Sequence, residues 1–359
     1  MARKRIIYQS EALYTGPTGD ASPLQLHRIQ DVSHSVEVTR TDVNSFGRLA
    51  ALSREVIEAP TVSCDFSYYV VDGYNESGLG LTTNGTANAL SGVMASGSSS
   101  AERNFYIMTS KEGEDAIGST VAQNGVIGIG NAYITSYGVE ASVGEIPTAS
   151  VSAEGINVRF DSTAVSFASP AINPADGSAI SSATTLPAAS TGALSVAALR
   201  PGDLTLSFGA ASLQGGGVVL PGMTAASSTG VSCVQSVSID MPLGRTPLQC
   251  LGDTFPTSRE LDFPINVTMA VSANVSDIQS GTLRDLLCNE AQKRDITITM
   301  NEKCSATGSV AFTLKNAQLD SQNMSSSIGD NKTVDLSFSA QVGGANDGSN
   351  GLFISGKGA

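Results

Sequence analysis

Val32, Val36 and Val38 alternate with Asp31, Ser33, Ser35 and Glu37. A period of two with one apolar and one polar phase predicts a strand that turns one face to a core and the other to water. The same phase returns at Val237, Ile239, Met241 and Leu243, set against Ser236, Ser238 and Asp240. A second strand follows each time. Val62, Cys64, Phe66, Tyr68 and Val70 alternate with Ser63, Asp65 and Ser67, and Val267, Met269, Val271 and Val275 alternate with Thr268, Ser272 and Asn274. The period then changes. Leu90, Val93 and Met94 match Leu283, Leu286 and Leu287 at i, i+3, i+4, and Thr282 with Asp285 resembles a capping box opening a helix of about three turns. Strand patterns resume at Arg103–Ile107 and Arg294–Ile298, and again at Ala149, Val151 and Ala153 against Val334, Leu336 and Phe338. Each half therefore reads β-β-α-β-β-β.

The two halves are related as sequences as well as patterns. Shifting the chain by 205 positions lays residues 30 to 72 over 235 to 277 without a gap. The identities include Gln30/Gln235, Val32/Val237, Arg40/Arg245, Thr41/Thr246, Gly47/Gly252, Arg54/Arg259, Glu55/Glu260, Val62/Val267, Ser67/Ser272 and Asp72/Asp277. A one-residue slip would turn every side chain to the wrong face, so agreement of phase over two strands tests the alignment separately from the identities. The expected fold is mainly β: two tandem copies of an antiparallel β-sandwich or barrel, each with one packed α-helix. The expected divisions are a first domain at 1–160, an Ala/Ser/Thr/Pro-rich linker or crossover at 161–202, a second domain at 203–343 and a flexible arm at 344–359 ending in the apolar Leu352-Phe-Ile.

Composition narrows the function. The chain has 359 residues, 33 acidic against 20 basic, and a net charge of −13, so a surface gripping nucleic-acid phosphates is not expected. No run approaches the ~20 apolar residues of a membrane span, and the basic start is followed by Gln9, Ser10 and Glu11 where a secretory signal needs an apolar core. No membrane association is expected. Cys64, Cys233, Cys250, Cys288 and Cys304 are dispersed, without metal-ligand spacing, and read as reduced core residues.

Catalytic signatures are sparse, and no enzyme activity, metal or cofactor is expected. Of the two histidines, His34 falls in the apolar phase where the second copy has Ile239, and both read as core residues. Gly125-Val-Ile-Gly-Ile-Gly130 mimics part of a phosphate loop, but it aligns with a strand, Val310-Ala-Phe-Thr-Leu, and no helix follows. Loops 39–58 and 244–262 are long for connections between strands, and their Arg40, Arg54, Glu55, Arg245, Arg259 and Glu260 are expected to form ion pairs between subunits. The water-facing phase of the strands holds Asp31, Glu37, Asp65, Glu154, Asp240 and Asp335.

The fragments Ile29-Gln-Asp-Val-Ser, Arg40-Thr-Asp-Val-Asn-Ser-Phe-Gly47, Pro60-Thr-Val-Ser-Cys-Asp-Phe-Ser-Tyr-Tyr, Val234-Gln-Ser-Val-Ser-Ile-Asp and Arg245-Thr-Pro-Leu-Gln-Cys-Leu-Gly252 stand in an order similar to that of a known family. The chain resembles the tail tube proteins of long-tailed bacteriophages, whose fold also resembles the ring proteins of type VI secretion. The resemblance covers residues 27 to 160 and again about 203 to 343. It implies a virion protein, assembled in the host cytoplasm, that stacks in rings to form a tail tube carrying DNA. Most members have one domain and form hexamers, so a two-domain chain implies trimeric rings. The implied partners are further copies of the chain, a tape measure protein and other tail proteins, with DNA passing transiently. On this resemblance the six carboxylates above line the lumen. Rival readings are a tail terminator, baseplate or decoration protein, or a secreted β-sandwich adhesin or carbohydrate-binding protein.

Overall fold

A computed structural model of the chain describes residues 10–57, 59–94, 101–111, 113–180, 183–191, 204–208, 233–275, 293–301 and 308–356. The fold is mainly β, as the alternating pattern predicts. The first half contains β1 (Glu11–Pro17), β2 (Leu24–Gln25), β3 (Ile29–Glu37), β4 (Thr41–Val43), β5 (Ser53–Glu55), β6 (Thr61–Tyr69), α1 (Tyr74–Gly78), α2 (Ser91–Met94), β7 (Arg103–Thr109), β8 (Gly125–Ser142), β9 (Thr148–Gly155) and β10 (Asn157–Asp161). The crossover holds β11 (Phe167–Ala168) and β12 (Ala183–Thr184). The second half contains β13 (Leu204–Phe208), β14 (Cys233–Pro242), β15 (Arg245–Leu248), β16 (Ser258–Leu261), β17 (Asn266–Asn274), β18 (Arg294–Asn301), β19 (Gly308–Ser325), β20 (Thr333–Gln341) and β21 (Gly351–Gly356).

Pairing in one half is reproduced in the other, residue by residue. Val32 lies opposite Phe66 as Val237 lies opposite Val271, and both ladders slip at the same place, between Ile29 and Asp31 and between Val234 and Ser236. Thr41 faces Glu55 as Thr246 faces Glu260. The bulge between Ile134 and Ser136 recurs between Leu319 and Ser321, and that between Arg103 and Phe105 recurs between Arg294 and Ile296. Bulges are specific local devices, so four shared ladders with three shared bulges describe one pairing scheme used twice.

The scheme bends one long strand across two layers. β8 and β19 each run for 18 residues. Each carries an asparagine in the left-handed region next to a bulge, Asn131 at φ 51° and Asn316 at φ 55°, a conformation asparagine tolerates better than most residues. Before this corner β8 pairs with β7 and β10, and beyond it with β9; β19 likewise pairs first with β18 and β21, then with β20.

Beyond the corners the two halves fuse. β14 pairs with the last part of β8, Val237 opposite Ala141 and Ile239 opposite Val139. The result is one sheet in the order β3-β6-β9-β8-β14-β17-β20-β19. Its apolar phase, with Phe66, Val151, Val139, Ile239, Met269 and Leu336, belongs to a core cluster that runs through both halves without a break.

Four expectations change. The described residues of the crossover, 161–180 and 183–191, are not a loose connection: Ala164, Phe167, Ala171 and Leu186 are buried, and Phe167 packs edge-on against Tyr106. Gly128 and Gly130 of β8 serve this packing, because a Cβ on Gly130 would collide with the Pro170 carbonyl oxygen. The C-terminal arm is a paired strand, β21, with Leu352, Phe353 and Ile354 buried against β19. The helical pattern at Leu90–Met94 gives a single turn, α2, joined by a second short helix, α1. The three-turn helix expected around Leu283–Leu287 lies outside the described residues. Of the cysteines, Cys64 is buried as expected, its thiol pushed up to about 12 by burial, but Cys250 is exposed in the loop after β15.

Candidate assembly surface

Directly opposed residues of neighbouring strands share a face. The registers therefore put all six carboxylates singled out in the sequence on one side of the eight-stranded sheet. Asp31 stands opposite Ser67, Asp65 opposite Ser33 and Ser152, Glu154 opposite Ser63, Asp335 opposite Ser272, and Asp240 opposite Thr268 and Gly138, while Glu37 ends β3 opposite Thr61. Glu140, opposite Thr148 and Ser238, joins them, and the sequence pattern does not show it because β8 breaks its alternation at the corner. Between the carboxylates lie mostly Ser, Thr, Gly and Asn, and no described strand position of this face carries Lys or Arg. Short hydroxyl side chains tie the surface together. Asp31 accepts from the Ser67 backbone N–H at 2.7 Å and from the Ser67 hydroxyl, Asp335 accepts from Ser272 at 2.7 Å, and Ser35 and Ser63 share a hydrogen bond of 2.7 Å. The outcome is a smooth, negatively charged wall.

The basic residues expected between subunits divide into two sets. Arg245 and Arg259 lie in the β15–β16 hairpin, which folds back over the first half of the same chain. Arg245 Nε donates to the Ile134 carbonyl at 2.9 Å, and its guanidinium lies 5.1 Å from the centre of the Tyr133 ring. Burial pushes this arginine down to about 10. Arg259 pairs with Glu154, so this carboxylate is partly neutralised where the others of the face are exposed. Glu260, on β16 opposite Thr246, is exposed and adds attraction to Arg245. The loop beyond reaches the crossover, where Phe255 N donates to the Pro174 carbonyl at 3.0 Å. These contacts join the two copies within one chain.

The equivalent hairpin of the first half, β4–β5, points into solvent. Arg40 and Glu55 are exposed, and Arg54 pairs at 2.7 Å with Asp42 of its own hairpin. Around them Val43, Phe46, Leu49, Leu52 and Ile57 are exposed, an apolar set too dense for an ordinary monomer surface. The strand beside it is likewise uncovered: Val36 is 49% exposed, whereas Met241, its counterpart on β14, is fully buried. His34 is half-buried beside Phe160 and not in the core, because no strand covers β3 on its second side among the described residues.

The most perturbed buried acid lies elsewhere. Glu76 of α1 is fully enclosed and accepts hydrogen bonds from Tyr68 at 2.9 Å and Tyr137 at 3.1 Å. Burial raises its carboxyl above the ordinary value and the two tyrosines pull it part of the way back. The adjoining cavity, lined by His27, Asp72 and Asn75, holds about 10 Å³, too little for a substrate. His27 is buried as expected, its backbone bonded both ways to the Asn75 side chain. A folded pKa above the unfolded one means that this group favours folding at low pH and loses that contribution as pH rises through the folded value. Glu76→Gln should therefore gain stability relative to the natural chain between pH 4.5 and pH 8, read by urea denaturation at both. Tyr137→Phe should cost about 1 to 3 kcal/mol at either pH by removing a buried donor.

Among the described residues no cluster of His, Cys, Asp and Glu is arranged to hold a metal, and no helix is long and apolar enough to cross a membrane. No protein-family model matches the sequence, and no curated protein matches it.

Proposed function

We propose that this chain is a structural protein of a bacteriophage tail, three copies of which close into a ring of six repeats, the rings stacking into a hollow tube through which DNA passes. The observation that carries the reading is the β8–β14 seam. One repeat adds to the next edge to edge in a single sheet, and among the described residues no further strand pairs with β3 at one side or with the last part of β19 at the other. Such edges are templates for further pairing, and a head-to-tail contact that closes forms a ring. Eight strands per chain give about 24 in a trimer. At ~4.8 Å spacing and ~40° tilt their circumference is roughly 150 Å and the barrel roughly 50 Å across between backbones. That leaves room for a duplex.

The core phase of the sheet is covered by the second layer of each half, so the acidic phase faces the lumen in this arrangement. A ring of three chains carries three times the −13 of one. DNA, itself a dense line of charge, would be repelled from such a wall and pass without sticking. Tape measure and other tail proteins are the further partners this role requires. Light scattering and negative-stain images of the purified protein test the proposal. Rings and tubes are expected, and a stable monomer at tens of micromolar with no rings in virions would refute it.

A further inference from the structure

The repeat supplies a template for the contact between chains. In the first half, the surface formed by Tyr133, Glu154 and the Ile134 carbonyl is covered by the β15–β16 hairpin. By the shared registers the same surface of the second half is formed by Gln318, Ser339 and the Leu319 carbonyl. There no described segment covers it, and it forms a polar cleft of about 440 Å³, also lined by Asn316, Gln341 and Lys293. The hairpin equivalent to β15–β16 is β4–β5, which is exposed along its whole length. An empty receptor and an unseated hairpin of matching descent stand at opposite ends of one chain.

We infer that the β4–β5 hairpin of a second copy of this chain seats in the Gln318–Ser339 cleft while β3 of that copy pairs antiparallel with the end of β19. The inference rests on the reading that copies of the chain assemble, and it fixes how. Transferring the β8–β14 register gives Val32 opposite Ser326, Ser33 opposite Ser325, His34 opposite Met324, Ser35 opposite Asn323 and Glu37 opposite Ser321. The half-buried His34 and exposed Val36 gain the cover that Ile239 and Met241 already have. Arg40 takes the place of Arg245, donating to the Leu319 carbonyl, and Arg54 takes that of Arg259.

The copied contact is weaker than its template, and the substitutions say why. Glu154 becomes Ser339, so Arg54 meets a hydroxyl in place of a carboxylate. Tyr133 becomes Gln318, which offers no ring face to Arg40, and Lys293 stands at the position of Glu102. The seam inside the chain is thereby permanent, and the seam between chains is reversible at the concentrations where rings form.

Cysteine pairs test the register. In a Cys250→Ser background, Ser33→Cys with Ser325→Cys should give disulfide-linked dimers and trimers on non-reducing gels after mild oxidation, lost on reduction. Each single variant, and the off-register pair Ser33→Cys with Asn323→Cys, should give neither. Rings without the Ser33–Ser325 link overturn the seam and leave the tube reading standing. The link formed in trimers that never stack upholds the seam and defeats the tube. A chain that stays monomeric defeats both. The hairpin is tested by restoring the lost acid: Ser339→Glu should lower the concentration for half-assembly roughly three- to tenfold by pairing with Arg54, and Arg54→Glu in that background should cancel the gain. No change with Ser339→Glu would remove the hairpin from the contact.

Discussion

Ile239→Asp should abolish folding of the chain, whereas His34→Asp, which puts the same residue at the same position of the other repeat, should leave a folded monomer that no longer forms rings. Ile239 is 2% exposed on β14, between β8 on one side and β17 on the other, within the core shared by both halves. A carboxylate there is buried with no partner, a cost above about 4 kcal/mol in a fold whose whole stability is about 5 to 15 kcal/mol. His34 has the same register to its neighbour, opposite Cys64, but no described strand on its other side. An aspartate there keeps its water in the monomer and loses it only when a second chain covers the strand. Circular dichroism and urea titration report the first effect and light scattering the second. Intact rings from His34→Asp would show that β3 is not the joining edge, and a normally stable Ile239→Asp chain would contradict the burial of β14.

This contrast also marks how far the sequence could be read. The alternation at Val62–Val70 and Val267–Val275, with the gapless offset of 205, located β3, β6, β14 and β17 and their common register, because period and phase are local properties of a half-buried strand. The six carboxylates were legible for the same reason: phase assigns a side, and the ladders put every one of those sides together. What escaped depends on contacts distant in sequence. β21 looked like a loose tail because Gly343–Gly351 is rich in glycine and polar residues, yet Leu352, Phe353 and Ile354 complete the layer beside β19. The Ala- and Ser-rich crossover gives no period at all, since it packs through the Pro170 ring and the backbone at Pro170 and Ala171, close against Gly128 and Gly130, and not by burying a stripe. The length of their loop points Arg245 and Arg259 to ion pairs between subunits, whereas their partners, Tyr133 and Glu154, lie in the first copy of the same chain, which no pattern in the sequence shows. Glu76 is not legible in the sequence, because a lone acid beside short apolar runs looks like any surface acid until the fold encloses it.

Reversing the acidic wall should turn a surface indifferent to DNA into one that retains it. Six of the seven carboxylates of the face are exposed, and five of them, Asp31, Glu37, Asp65, Asp240 and Asp335, can be changed to Lys together. Glu154 is left alone because it holds Arg259 at the internal seam, and its loss would weaken the chain for a reason unrelated to the lumen. Each reversal shifts the charge by two, taking the chain from −13 to −3. Three such chains would set fifteen ammonium groups around each ring, most of them within a Debye length of a centred duplex at low salt. Each phosphate neutralised releases counterions, so retention should fall steeply with salt, by roughly 10³ to 10⁵ between 50 and 200 mM if six to ten contacts form. The measurement is anisotropy of a labelled short duplex with preassembled tubes, the natural chain giving no signal and the variant a signal that salt removes. Loss of the Asp31–Ser67 and Asp335–Ser272 hydrogen bonds should cost little, since these groups are exposed and water replaces their partners. If the variant forms tubes and the duplex still ignores them at 50 mM salt, the acidic face lies on the outside of the tube and the charge of the chain serves solubility alone.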